Sequence, residues 1–86
     1  MLTTASFIEM ETGAQKWFAK DLLIRIESLK ASGIKQYCYS FNVYDLEVDL
    51  NKNEVTIREN LFEDHMDFLK LSLAAFTDDL LDILNK

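Results

Sequence analysis

The apolar residues of the N-terminal third recur every three or four positions, which is the spacing of one face of an α-helix. This stripe consists of Ala14, Phe18, Leu22, Ile26 and Leu29. Gly33 follows it, and a glycine readily adopts the left-handed conformation that ends many helices. We therefore expect a first helix from about residue 5 to residue 31, which Gly13 is able to interrupt.

The apolar positions then alternate, as they do in a strand with one buried face. They are Tyr37, Tyr39, Phe41 and Val43 and, one residue out of phase, Tyr44, Leu46, Val48 and Leu50. A bulge near residues 42–44 restores a single apolar face. A tight turn at Asn42-Val43 does so too and pairs Tyr39 with Leu46, but a primed turn would force the β-branched Val43 to positive φ. The pattern leaves open whether residues 34–50 form one bulged strand or two strands.

A second turn is expected between Leu50 and Val55, because Asn51-Lys52-Asn53 is polar and the next residues resemble a strand. A loop of two residues pairs Val48 with Val55, and a loop of four residues pairs Leu50 with Val55. Both registers keep the apolar residues on one face.

The C-terminal third shows the strongest pattern in the chain. Its apolar residues alternate between spacings of four and three, namely Phe62, Met66, Leu69, Leu73, Phe76, Leu80 and Ile83. Asn60 is a suitable N-cap with Glu63 three residues later. This predicts one long second helix. Further leucines lie beside the stripe, so the apolar face of this helix is wider than a single helix contact requires.

The sequence thus predicts an α+β fold of the order α-β-β(-β)-α. Two helices pack on one face of a small antiparallel sheet of two or three strands, and residues 1–86 form a single domain. A chain of 86 residues is long enough for one core and too short for a second.

The formal net charge is −6, and the charged residues are distributed unevenly along the chain. Residues 1–43 carry five basic and four acidic groups, whereas residues 44–86 carry four basic and eleven acidic groups. Binding to a phosphate backbone needs clustered Lys and Arg, so we expect no direct contact with nucleic acid. No apolar run approaches the length of a membrane span. Together with the lack of a visible secretory signal and a single cysteine, Cys38, this suggests the cytoplasm.

Sequence motifs for catalysis are not found. Gly13 and Gly33 are the only glycines, which excludes a P-loop, a dinucleotide fingerprint and a nucleophile elbow. His65 is the only histidine and has no metal-ligating neighbour at helical spacing. Cys38 lies in a predicted strand, where an inert thiol is the usual finding. We expect a non-enzymatic protein without cofactor or metal.

The carboxylates of the C-terminal half are the remaining candidate for function. Asp45, Glu47 and Asp49 project from one strand face at intervals of about 6.8 Å. The predicted partner-binding residues are Asp45, Glu47, Asp49, Glu54, Asp78, Asp79 and Asp82. Such residues often do no more than solvate a surface. The functional hypothesis is a binding protein of the inhibitor, immunity or antitoxin type that engages a basic protein partner. The alternative is a homodimeric structural or adaptor module that associates through the C-terminal helix or through the edge of the strand at residues 34–43.

Overall fold

The chain forms helices at both ends and an antiparallel sheet between them. We describe residues 2–59 and 68–86 of a computed structural model. The elements are α1 (Thr4–Glu11), α2 (Gln15–Ser32), β1 (Gln36–Ser40), β2 (Tyr44–Asp49), β3 (Glu54–Glu59), β4 (Phe68–Ser72) and α3 (Leu73–Leu84). The α+β class and the antiparallel sheet are confirmed. The element counts were wrong, since the described residues contain three helices and four strands.

The first helical region is interrupted near Gly13, where the sequence allowed a break. α1 ends at Glu11 and α2 begins at Gln15, so two shorter helices replace one. Thr3 caps α1, and its side chain accepts the N–H of Ser6 at 3.1 Å. Gly33 ends α2 in the left-handed conformation, with a φ of 72°.

The long C-terminal helix was wrong over residues 68–72. These residues form β4, which pairs with β3 in an antiparallel register that sets Lys70 opposite Thr56. The helix begins at Leu73, and the Ser72 side chain caps it by accepting the N–H of Ala75 at 3.1 Å. The predicted cap at Asn60 and the stripe positions Phe62 and Met66 lie outside the described residues.

The sheet has the strand order β1-β2-β3-β4, so each strand pairs with its neighbours in sequence. Residues 36–40 and 44–49 are two strands joined by a tight turn, and Tyr39 lies opposite Leu46. Val48 lies opposite Val55, which is the register of the two-residue loop. Both hairpins therefore follow one of the two alternatives that the sequence left open.

One hydrophobic core joins the three helices to the inner face of the sheet. Fully buried side chains from the helices include Phe7, Leu22, Ile26, Phe76 and Leu80, and those from the strands include Leu46, Val48, Val55 and Ile57. Phe7 packs edge-on against Tyr44, with their ring centroids 5.7 Å apart. The alternation of buried and half-exposed residues along β2 leaves the other face of the sheet toward solvent.

The turn between β2 and β3 is connected to the start of α3. Asn53 has a φ of 53°, the left-handed conformation that asparagine tolerates better than most residues. Its carbonyl oxygen accepts the backbone N–H of Leu73 at 2.7 Å. The turn and the first residue of α3 are therefore held against each other.

Candidate functional site

The solvent-exposed side of the sheet forms a grid of three rows across four strands, which we call the outer sheet face. The rows read Gln36, Asp49, Glu54 and Ser72, then Cys38, Glu47, Thr56 and Lys70, then Ser40, Asp45, Arg58 and Phe68. Four of the predicted partner-binding residues, Asp45, Glu47, Asp49 and Glu54, thus lie together on adjacent strands.

Two cations within the outer sheet face partly neutralise these carboxylates. Arg58 approaches Glu47, with 3.7 Å between Nη2 and Oε2, and Lys70 lies 3.1 Å from Glu54. The side chains of both pairs are between about a third and three-fifths exposed, so the attraction within each pair is weakened by water. The sequence did not reveal the role of Lys70, because this residue was assigned to a helix. Lys52 in the β2–β3 turn also acts electrostatically on Asp49, so four carboxylates are set against three nearby cations and a small acidic excess remains.

Asp49 combines a position in this face with a structural role in the turn. One carboxylate oxygen accepts the N–H groups of Asn51 at 3.0 Å and Lys52 at 3.1 Å, and the other accepts Gln36 Nε2 at 3.2 Å. The hydrogen bond from the Lys52 backbone is the main cause of a lowered pKa for the Asp49 carboxyl. Asp49 is therefore held in its anionic form beside Glu54, which lies directly opposite on β3.

Cys38 occupies the same face on β1 and is exposed. Partial burial of the thiol, followed by the nearby carboxylates of Asp45 and Glu47, raises its pKa above the ordinary value of 9.0, and Arg58 opposes this. A raised pKa keeps the sulfur protonated at neutral pH, and the thiolate is the reactive form. The environment of Cys38 is thus the reverse of one that activates a nucleophile.

The other predicted partner-binding residues, Asp78, Asp79 and Asp82, lie on α3 and are exposed. α3 buries Leu73, Phe76, Leu80 and Ile83 in the core shared with the inner face of the sheet. The two acidic groups consequently lie on opposite sides of the sheet. A partner that contacts one flat surface cannot reach both.

A second cluster joins the α1–α2 region to the turn between β1 and β2. The spacing of Asp21 and Arg25 predicts their ion pair, but no local pattern predicts the contact of Glu11 with the turn. The Glu11 carboxylate accepts the backbone N–H groups of Asn42, Val43 and Tyr44 at 2.7–3.0 Å. Nearby, Arg25 pairs with Asp21 at 2.7 Å. All of these contacts connect helical residues to the turn or to one another, and the cluster has a structural role.

Arg25 also stacks on the aromatic residues at the end of the inner sheet face. Its guanidinium carbon lies 5.1 Å from the ring centroid of Tyr39, within the range of a cation–π contact. Burial raises the pKa of the Tyr39 hydroxyl, and the positive charge of Arg25 acts in the opposite direction. Tyr39 of β1 is thus in contact with α2 through Arg25, whereas Tyr37 is 48% exposed.

The described residues contain neither a metal-binding cluster nor a membrane-spanning helix. Across residues 2–59 and 68–86, no three His, Cys, Asp or Glu side chains are grouped as a metal site would require. No helix in this part of the chain has both the length and the apolar character needed to cross a bilayer. His65 lies outside the described residues.

Comparisons with models of protein families, with curated proteins and with solved structures find no match to this chain.

Proposed function

We propose that the chain is a non-enzymatic binding protein whose outer sheet face engages a basic surface of another protein. The observation that carries this proposal is the placement of Asp45, Glu47, Asp49 and Glu54 on two adjacent strands, where their half-buried side chains lie on the face of the sheet away from the described helices. An inhibitor, an immunity protein or an antitoxin would use such a face to occlude a cationic site.

The arrangement of charges favours a partner with several cationic side chains over a single ion. Successive carboxylates along β2 are about 6.8 Å apart, too far for one ion to bind them together. Asp49 and Glu54 lie opposite each other, and like charges in this relation are destabilising. Cations supplied by a partner would relieve that repulsion and would speed the encounter of the two proteins.

The proposal is confined to the four carboxylates on the sheet. Asp78, Asp79 and Asp82 remain predicted partner-binding residues on a separate surface, because α3 belongs to the helical side of the molecule. This separation provides a matched control, since equal charge can be removed from either side.

The test begins with affinity capture from the native host, which identifies the partner, and continues with stopped-flow association kinetics. The double variant Asp45→Asn with Glu47→Gln is compared with Asp78→Asn plus Asp79→Asn. Both lower the net negative charge by two. We expect the sheet variant to associate about three- to tenfold more slowly at low ionic strength and the α3 variant to resemble the wild type.

Two results would contradict the proposal. One is an equal effect of the two double variants, which would show that only the net charge matters. The other is an association rate that does not fall as salt rises, because steering between charged surfaces is screened over about 8–10 Å at physiological ionic strength.

A further inference from the structure

Among residues 2–59 and 68–86, β1 is an edge strand that pairs with a neighbour on one side only. The N–H of Phe41 donates to Tyr44 and the N–H of Leu50 donates to the carbonyl of Lys35, so positions 41 and 35 bond to β2. Bonding positions alternate along an antiparallel strand. The N–H and C=O groups of Gln36, Cys38 and Ser40 therefore point away from β2, and no described strand lies beside them.

The two edges of the sheet differ in how they are protected against pairing. Natural sheets guard an edge with a charged residue, a proline or a bulge. β4, the edge strand on the far side, carries Lys70 at its centre. β1 has the sequence Gln-Tyr-Cys-Tyr-Ser, with no charge and no proline, and pairs with β2 without a bulge. Among the described strands, β1 is the unguarded edge.

We propose that two copies of the chain associate by pairing their β1 strands antiparallel, with Cys38 at the two-fold axis. This register sets Gln36 opposite Ser40 of the second copy and Tyr37 opposite Tyr39 of the second copy. The outward groups of residues 36, 38 and 40 then form about six hydrogen bonds across the interface. The result is one continuous sheet of eight strands.

The aromatic residues of β1 favour the same register. Tyr37 is 48% exposed, although it lies on the inner side of the sheet and its ring centroid is 4.7 Å from that of Tyr39. In the proposed register Tyr37 and Tyr39 of the two copies form non-hydrogen-bonded pairs, where cross-strand side chains come closest. The pairing buries aromatic surface that the monomer leaves in water.

Electrostatics permit this association despite the net charge of −6. No charged residue lies within β1, so no like charges meet at the interface. The acidic residues of the two β2 strands would be three strand intervals apart, about 14 Å, which exceeds the screening length of about 8 Å at physiological salt. Self-association should therefore not weaken as salt rises, in contrast to binding of a basic partner, and it does not depend on the proposed function.

Sedimentation velocity over a range of protein concentrations tests the proposal with two charge variants. Gln36→Lys with Ser40→Lys sets like charges opposite each other twice, and we expect it to weaken dimerisation by about three- to thirtyfold. Gln36→Lys with Ser40→Glu forms two opposite-charge pairs, and we expect it to dimerise at least as well as the wild type. Circular dichroism confirms that each variant is folded.

The comparison is specific to the register, because the Lys-Lys variant has the smaller net charge and would associate better if general repulsion governed the equilibrium. A wild type that stays monomeric up to hundreds of micromolar would overturn the proposal. A dimer that both variants form equally would also overturn it. The same holds if Ile24→Asp, on the exposed side of α2, dissociates the dimer and the Lys-Lys variant leaves it intact.

Discussion

The backbone N–H of Tyr44 donates a hydrogen bond of 2.7 Å to the carboxylate of Glu11, thirty-three residues earlier in the chain. The same carboxylate oxygen accepts the N–H of Val43, and the other oxygen accepts the N–H of Asn42. One side chain thus satisfies three consecutive donors of the turn. Val43 is absent from the described residues with positive φ, so the turn closes without the strain that a primed type would impose on it.

Removing this carboxylate should destabilise the fold. We expect Glu11→Ala to lower the free energy of unfolding by about 2–4 kcal/mol, because hydrogen bonds to a charged group are lost and partly buried donors are left unsatisfied. Glu11→Gln keeps one acceptor oxygen and should cost about half as much. Urea denaturation measures both, with Glu9→Ala on the exposed side of α1 as control. A loss no larger than that of the control would show that the contact contributes nothing.

Asp49 should make stability depend on pH in the acid range. The pKa of its carboxyl is lowered in the folded state from the ordinary 3.8, so its contribution is complete above that value and is lost as the pH falls through the lowered pKa. Asp49→Asn keeps an acceptor for the turn and removes the charge. We expect the difference in urea midpoint between wild type and variant to shrink on acidification. A constant difference at every pH, or an Asp49 carboxyl that titrates at or above 3.8 in NMR spectra, would contradict this.

Cys38 should react slowly despite its exposure. Because its thiol pKa is raised, we expect half-maximal alkylation by iodoacetamide at a pH above 9.0. Asp45→Asn with Glu47→Gln removes two carboxylates that stabilise the neutral thiol and should shift the profile to lower pH. Asp78→Asn with Asp79→Asn removes equal charge from α3 and should leave the profile unchanged. Alkylation at neutral pH faster than that of a free cysteine would refute the assignment.

Phe76 in α3 and Phe68 in β4 should contribute very differently to the free energy of unfolding. Phe76 is fully buried in α3, and we expect Phe76→Ala to cost about 3–5 kcal/mol through lost contacts and an internal cavity. Phe68 is 60% exposed on β4, and Phe68→Ala should change stability by less than about 0.5 kcal/mol. Thermal and urea unfolding measure both variants. Similar losses for the two would mean that Phe68 is covered as well.

The sequence reduced the β1–β2 and β2–β3 connections to two alternatives each without choosing between them, and it missed the pairing of β3 with β4. Alternation from residue 37 to residue 50 allowed a bulge or a turn, and the turn closes because Glu11 binds its N–H groups. That contact spans more than thirty residues, so no local pattern reveals it. The break between α1 and α2 was visible locally, since Gly13 marks it.

The C-terminal third shows how one pattern supports two structures. Leu69 and Leu73 fit the helical stripe, but Leu69, Leu71 and Leu73 also alternate with more polar positions, as in a strand. Leu69 and Leu71 belong to β4, because β3 provides hydrogen-bonding partners for the backbone of this segment. Ser72, which caps α3, is the local feature that marks the true start of the helix.

The positions of the acidic residues were also only partly predictable from the sequence. The row Asp45, Glu47 and Asp49 was readable from alternation alone, and Glu54 joins it through the hairpin register. The neutralising position of Lys70 required knowing that residues 68–72 pair with β3. The location of the α3 carboxylates depends on packing, which spacing along the chain does not encode.

The hydrogen bond from Leu73 to the carbonyl of Asn53 constrains the β2–β3 loop in a way that its polar sequence conceals. Exposed polar loops are normally the places where insertions and fusion tags are tolerated. Here any added residue would displace a carbonyl against which α3 begins, so lengthening this loop would disturb the helix as well as the hairpin. For protein engineering, the β2–β3 loop is therefore a poor site for an insertion.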